Sequence, residues 1–274
     1  MSAAPQTELT TKTPDWRIAP SVPVAFGVFI AYVMAFIGLS STSGVAYSEF
    51  FASSGNAYRA AVLPLAAGSL VLILFTWWAR WDFVFRDPAK LGMTFVLWIP
   101  VVLFTLGIVG HLIGVDWGTV PTGLLLAIIA AGVLVGFAEE TLFRGIILRS
   151  LRTKQRAEGW VVLVSSLWFG FFHLTNVLNG SPLGGVIVQC LMASMVGATL
   201  YLFRRLSGLL VVGMIAHGLW DISTFLPAAE SAAPTNLAIQ AGVVVFALVA
   251  LLVIVARERR LAVTSDGVVE LAKN

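Results

Sequence analysis

The sequence contains very little charge. Only 11% of its 274 residues are Asp, Glu, Lys or Arg, whereas 58% are hydrophobic. A soluble domain carries roughly 25% charged residues, which keep its surface hydrated. The apolar residues also form runs longer than the ~18 residues that indicate a membrane span. The scarcity of charge therefore excludes a soluble domain and predicts an integral membrane protein. We expect it in a bacterial plasma membrane, surrounded by lipid and with no nucleic-acid partner.

Cysteine is nearly absent too, since Cys190 is the single one. An intrachain disulfide is therefore excluded, and Cys190 is expected to pack as a small hydrophobe in its apolar run. Residues 1–20 are polar and lack the apolar core of a cleaved signal peptide, so we assign them to a polar N-terminal tail. Residues 21–256 are assigned to one membrane domain with a functional core at about 120–226, and residues 257–274 to a cytoplasmic tail.

The apolar runs predict an all-α, polytopic helical bundle, because backbone polar groups in lipid must be satisfied within each segment. About eight spans are expected, at 22–42, 58–79, 94–114, 121–149, 159–178, 183–203, 207–226 and 236–256. Every second connection is basic, whereas the alternate connections contain only Arg59. Under the positive-inside rule, this alternation predicts that both termini are cytoplasmic.

A few ionisable residues remain inside the spans. They are Glu139, Glu140 and Arg144 on span 4, His173 on span 5, His217 and Asp221 on span 7, and His111 on span 3. A charge near the bilayer centre costs at least ~2.5–3.5 kcal/mol, so such residues are rare and usually functional. At ~1.5 Å per helical residue, Glu139, His173 and His217 all lie about 15–21 Å from the predicted cytoplasmic helix ends. Because these residues lie at the same depth on three helices, we predict that they form one shared site.

Helical spacing predicts pairs within this site. Glu140 and Arg144 are four residues apart and can form an ion pair, which leaves Glu139, on another face, to point into a pocket. His217 and Asp221 have the same spacing, so the carboxylate can orient the imidazole. Each pair also has a purely structural interpretation, as a buried ion pair or an interhelical lock. His111 has no partner at helical spacing, and we expect it to be a packed histidine.

These residues form an ordered pattern. Glu139 to Arg144 match EExxxR, Phe169 to His173 match FxxxH, and His217 to Asp221 match HxxxN/D. Over about residues 120–226 the chain resembles the CPBP family, which comprises CAAX prenyl endopeptidases and bacteriocin-processing or immunity-type membrane proteases.

The resemblance implies an intramembrane endopeptidase with catalytic residues Glu139, Glu140, Arg144, His173, His217 and Asp221. In that family the first glutamate and the first histidine activate a water, here Glu139 and His173. The second histidine and the residue four after it line the oxyanion side, and Glu140 and Arg144 support the first glutamate. The eukaryotic prenyl endopeptidases have asparagine where Asp221 stands, so we expect Asp221 to orient His217.

A metal is not favoured, because no HExxH is present. A zinc ion held by Glu139, His173 and His217 stays open, since three such ligands suit a catalytic site. The expected partner is a membrane-embedded or lipidated, CAAX-like peptide, and the oligomeric state is undetermined. Two alternatives are a proton- or ion-coupled transporter, since buried Glu and His also form proton relays, and a non-catalytic immunity or scaffold protein.

Overall fold

A computed structural model describes residues 15–87, 95–229, 233–257, 261–263 and 269–271. Within these ranges the chain forms eight long helices: α1 Val22–Thr42, α2 Ser54–Ala79, α3 Phe95–Ile113, α4 Thr122–Arg152, α5 Glu158–Asn179, α6 Leu183–Ser207, α7 Leu210–Phe225 and α8 Ala233–Arg257. Seven helices are long and apolar enough to cross a membrane, and α7 is a shorter apolar helix of 16 residues. The predicted all-α membrane bundle is confirmed, while the side on which the termini lie stays a prediction.

Shorter elements connect the helices. Three 3₁₀ turns lie at Tyr47–Glu49, Asp82–Phe85 and Trp117–Thr119. Beyond α8, strand β1 (Leu261–Val263) pairs antiparallel with β2 (Val269–Leu271), a hairpin that the sequence did not predict. Helix α4 ends at Arg152, three residues beyond the end predicted for the fourth span.

The connections that follow α2, α4 and α6 meet at one end of the bundle, which we call the basic end. Asp87, which follows α2, forms ion pairs with Arg152 at the end of α4 (2.9 Å) and with Arg205 at the end of α6 (3.3 Å). The Asp87 amide also donates to the Gly208 carbonyl before α7, at 2.8 Å. Burial alone would raise the pKa of the Asp87 carboxyl, but neighbouring guanidinium groups, that of Arg152 most of all, hold it well below its usual range.

Glycine permits a close approach of α4 to α7. A Cβ on Gly136 would lie 2.3 Å from the Met214 carbonyl oxygen, and one on Gly132 would lie 2.8 Å from the Gly218 oxygen. Small residues at an interface let helix backbones pack tightly in lipid, where no hydrophobic effect drives their association. This contact brings the carboxylates of α4 beside the imidazole of α7.

The middle of α4 departs from regular α-helical geometry. Glu140–Ile147 forms a π-helical segment, in which the backbone hydrogen bonds span five residues and the turn is wider. Such segments cost stability and occur often at functional sites. The sequence predicted a regular helix here, because a π-segment has no distinct signature in an apolar run.

Candidate active site

A cavity of about 350 Å³ lies within the bundle. Glu139, His173, His217 and Asp221 all line it, together with the polar side chains of Tyr47, Asn176, Gln189, Thr224 and Gln240. Most of the remaining lining is apolar and includes Phe36, Phe50, Phe51, Leu65, Phe169, Phe172, Met192, Trp220 and Phe225. Three helices that are separate in sequence therefore bring their ionisable side chains to one cavity, as the shared depth predicted.

The two adjacent glutamates have different surroundings. Glu139 faces the cavity and keeps 7% of its surface exposed, whereas Glu140 is completely buried and does not line the cavity. Arg144 Nη1 donates to Glu140 Oε1 at 2.9 Å, which is the pair predicted from the spacing. The Arg144 guanidinium also lies 4.1 Å from the centre of the Phe169 ring, a favourable cation–π distance.

Glu140 also contacts His217 across the helix interface. His217 Nδ1 donates to Glu140 Oε1 at 3.0 Å, whereas Asp221 Oδ2 lies 3.8 Å from His217 Nε2. A 3.8 Å separation exceeds hydrogen-bond range. The buried carboxylate that orients His217 is thus Glu140, a contact between α4 and α7 that helical spacing within α7 does not reveal. The Glu139 carboxylate lies at 3.8 Å from the same Nε2, so this nitrogen faces both cavity carboxylates.

His173 begins the 3₁₀ turn that ends α5, and it is half-buried. Its Nδ1 lies 3.1 Å from the Phe169 carbonyl oxygen. A carbonyl only accepts, so the hydrogen bond assigns the proton of the neutral ring to Nδ1. Nε2 then carries the lone pair and is available to a group in the cavity.

A polar chain along the cavity wall was not predicted. Asn176 Nδ2 donates to Gln189 Oε1 at 2.9 Å, and Gln189 Nε2 donates to the Tyr47 hydroxyl at 3.0 Å. The sequence search considered only ionisable residues, so it passed over these groups. Gln189 and Asn176, two amides within apolar helices, were the available signal, because buried amides also need partners in lipid.

His111 lies outside the cavity lining. Its ring packs edge-on against Trp220 at 5.1 Å, and its Nδ1 lies 3.5 Å from Ser223 Oγ. Trp220 itself lines the cavity. These contacts fit the expected packed histidine, located behind the cavity wall.

The side chains do not fit a metal ion as they stand. Among the described residues, no group of three or more His, Cys, Asp or Glu side chains is arranged to hold one. Within the proposed set, His217 directs Nδ1 to Glu140, and its other nitrogen is 3.8 Å from Glu139. A catalytic zinc site needs three protein ligands that converge on one point, and the described residues provide no such group. We therefore derive no step through a metal.

Comparison with known proteins gives one match to a protein family. A family model described as type II CAAX prenyl endopeptidase Rce1-like matches residues 121–223. No curated protein and no solved structure matches the chain. The matched range runs from the start of α4 through most of α7 and includes the six candidate catalytic residues. The core of this chain, over residues 121–223, is thus similar to the CAAX-type proteases of the CPBP family.

Proposed function

We propose that this chain is an intramembrane endopeptidase that cleaves a peptide bond with a water activated by Glu139 and His173. One observation carries the proposal. Glu139, His173 and His217 come from three helices and line one largely apolar cavity, while Glu140 and Arg144 lie behind it. Hydrolysis in lipid requires a base, a donor for the developing negative charge and a confined volume that admits water.

Glu139 is the proposed general base. It takes a proton from the attacking water as the water oxygen forms a bond to the carbonyl carbon of the substrate. His173 accepts the other water proton in a hydrogen bond at Nε2 and holds the water in line. When the carbon–nitrogen bond breaks, the leaving amine receives the proton from Glu139, so the products are a free carboxyl and a free amine.

His217 is the proposed donor to the oxyanion. Glu140 accepts from its Nδ1 and fixes the plane of the ring, so Nε2 is directed at the cavity. The proposed donor form of His217 is the imidazolium, which has one proton on Nδ1 for Glu140 and a second on Nε2. The Nε2 proton stabilises the negative oxygen of the tetrahedral intermediate, an effect worth about 10²–10³-fold in rate for a single donor. The Asp221 carboxylate lies beside this donor, 3.8 Å from Nε2. Arg144 fixes the position of Glu140 through its ion pair.

The proposed substrate is a membrane-embedded or lipidated, CAAX-like peptide. The aromatic and aliphatic lining of the cavity suits an apolar side chain or a lipid tail, and its few polar groups suit a peptide main chain. The family's prenylated substrates make a lipidated C-terminus the first candidate to test.

The test uses purified protein in lipid vesicles with quenched fluorescent peptides, some membrane-spanning and some carrying a prenylated cysteine. E139Q and H173A are each expected to lower cleavage by at least about 10³-fold, because each removes a group that acts on the water. Glu49 lies in the connection between α1 and α2 and does not line the cavity. E49Q is therefore the matched control and should retain activity.

Each rival function predicts a different result. No cleavage by the wild type, together with a proton or ion flux that E139Q abolishes, would establish a transporter instead. Unchanged biological function in a double E139A/H173A variant would establish a non-catalytic scaffold. Loss of peptidase activity on chelation, with restoration by zinc, would contradict the metal-free mechanism but leave the peptidase assignment intact.

A further inference from the structure

Tyr47 lines the cavity but has no part in the mechanism described above. It lies on the 3₁₀ turn between α1 and α2, and its side chain lines the same cavity as Glu139, His217 and Asp221. It is half-buried, and its ring lies 5.3 Å from the ring of the buried Phe50. A connection outside the long helices therefore adds a phenol to the wall that carries the reacting groups.

The hydroxyl of Tyr47 is held by a chain of two amides. Gln189 Nε2 donates to the Tyr47 oxygen at 3.0 Å, and Asn176 Nδ2 donates to Gln189 Oε1 at 2.9 Å. A hydroxyl whose oxygen accepts a hydrogen bond still has its own proton to donate. Among the hydrogen bonds of the described residues, none uses this proton. Because hydrogen bonds in series polarise one another, Tyr47 is an oriented donor with its proton available.

The surroundings of Tyr47 keep this proton in place. Burial raises the pKa of the Tyr47 phenol, and the negative charges of Asp221 and Glu139 raise it further, against the opposing effect of the Gln189 hydrogen bond. The phenol is therefore protonated at neutral pH. It also lies close enough to both cavity carboxylates for their charges to act on it.

Other polar side chains of the cavity are less suited to donate to an oxyanion. An ionised carboxylate such as Asp221 only accepts, and Thr224 Oγ1 donates to the Asp221 main-chain oxygen at 3.2 Å. Gln240 lines the cavity too, but within the described part of the chain no hydrogen bond fixes its amide. Tyr47 thus combines a fixed oxygen with a free proton, and it can act beside His217.

Resting on the proposed function, we infer that Tyr47 is a further catalytic residue, whose hydroxyl donates a second hydrogen bond, beside His217, to the oxygen of the tetrahedral intermediate. The hydroxyl keeps its proton throughout. Its hydrogen bond strengthens as negative charge develops on the carbonyl oxygen, and it weakens when the carbon–nitrogen bond breaks and the carbonyl forms again. Gln189 is a positioning residue that acts through Tyr47, and Asn176 supports Gln189.

The role of Tyr47 is tested by Y47F in the vesicle assay, because this change removes only the hydroxyl. The kcat should fall by about 10²-fold with KM within about threefold, since the donor acts mainly on the transition state. Two controls should stay within about twofold of wild type. They are Y58F, at an exposed tyrosine outside the cavity lining, and Q240L, at an amide inside it. An unchanged kcat in Y47F, or an equal loss in either control, would exclude the role.

Binding measurements separate the transition state from the ground state. A peptide phosphonate, which resembles the tetrahedral intermediate, should bind Y47F about 10²-fold more weakly than wild type, whereas the matching product peptide should bind both equally. Equal weakening of both ligands would show that Tyr47 binds the ground state and would overturn the inference.

The role of Gln189 is tested by a double-mutant cycle. Q189L should lower kcat by about tenfold in the wild-type background but by less than about twofold in Y47F, because its effect passes through the phenol. Additive losses would contradict the positioning role. Absence of cleavage by the wild type would overturn the proposed function and this inference together. Cleavage by the wild type with unchanged Y47F kinetics would overturn this inference alone.

Discussion

Glu139 and Glu140 are neighbours in the chain but have different environments. Glu139 faces the cavity, whereas Glu140 is enclosed and accepts from both Arg144 and His217. Its second oxygen, Oε2, has no partner among the described residues and lies against Gly213, where a Cβ would be 3.1 Å away. Glu140 therefore couples α4 to α7 and holds the ring that faces the reacting groups.

Substitution E140Q should separate this positioning role from a merely structural one. The amide keeps the shape but removes the charge that pairs with Arg144, which leaves a buried guanidinium without its counter-ion. We expect kcat to fall by about 10–100-fold with little change in KM, and stability to fall by about 3 kcal/mol. Steady-state kinetics and thermal unfolding in detergent measure the two effects. Wild-type kcat in a folded E140Q protein would contradict the role.

Substitution of Asp221 tests the departure from the asparagine of eukaryotic prenyl endopeptidases. Because Glu140 makes the short contact with His217 and Asp221 does not, D221N should keep kcat within about tenfold of wild type, its amide being a donor toward the oxyanion. D221A supplies no polar group and should lose about 10²-fold. If D221N were as inactive as D221A, the charge of Asp221 would be required, and an amide donor could not replace it.

At the scale of the elements, the contact between α4 and α7 positions the site. Both backbones approach through glycines, and a Cβ on Gly136 would lie 2.3 Å from a main-chain oxygen. The neighbouring π-segment, Glu140–Ile147, then shifts the later residues of α4 in phase. Any displacement of α7 from α4 lengthens the Glu140–His217 hydrogen bond.

Substitution G136A should therefore impair both stability and activity. Forcing a methyl group against the α7 backbone costs about 1–3 kcal/mol, and a shift of α7 moves His217. The matched control is G38A in α1, because a Cβ there meets nothing within 4 Å. We expect a lower Tm and at least tenfold lower kcat/KM for G136A only. Equal behaviour of the two variants would show that the close approach is unnecessary.

At the scale of the whole molecule, the two ends of the bundle differ. The basic end is closed by the buried Asp87, Arg152 and Glu158 cluster, whereas the other half contains the cavity. The closed end links the three connections that follow α2, α4 and α6, so it holds the bundle together without contacting the reacting groups. Its charges should thus affect stability more than catalysis.

The D87N variant tests this division of roles, with a defined pH dependence. The folded-state pKa of Asp87 is depressed, so its stabilising effect is present above the unfolded-state pKa of about 3.9 and is lost as pH falls toward the folded value. At pH 7 we expect D87N to be about 3 kcal/mol less stable than wild type. The difference should shrink below about pH 4. Thermal unfolding between pH 3 and 7 measures it, and a difference independent of pH would contradict the ion-pair explanation.

The sequence by itself determined the membrane helices and the candidate site residues. Long apolar runs in lipid allow little but helices, so the predicted bounds agree closely with those observed, from Val22–Thr42 to Leu183–Ser207. Buried charge is costly, so the few ionisable residues inside the spans were conspicuous. The i,i+4 spacing correctly paired Glu140 with Arg144, because that contact depends on one helix alone.

Only the tertiary structure decided how the helices meet. The Glu140–His217 hydrogen bond joins residues 77 apart in the chain, and no local period encodes it. The π-segment and the Asn176–Gln189–Tyr47 chain likewise depend on which neighbours press on α4 and α6. The position of the cavity is also a property of the packed bundle. The depth of a residue along its helix can be predicted from the sequence, but the space between helices exists only after their side chains pack.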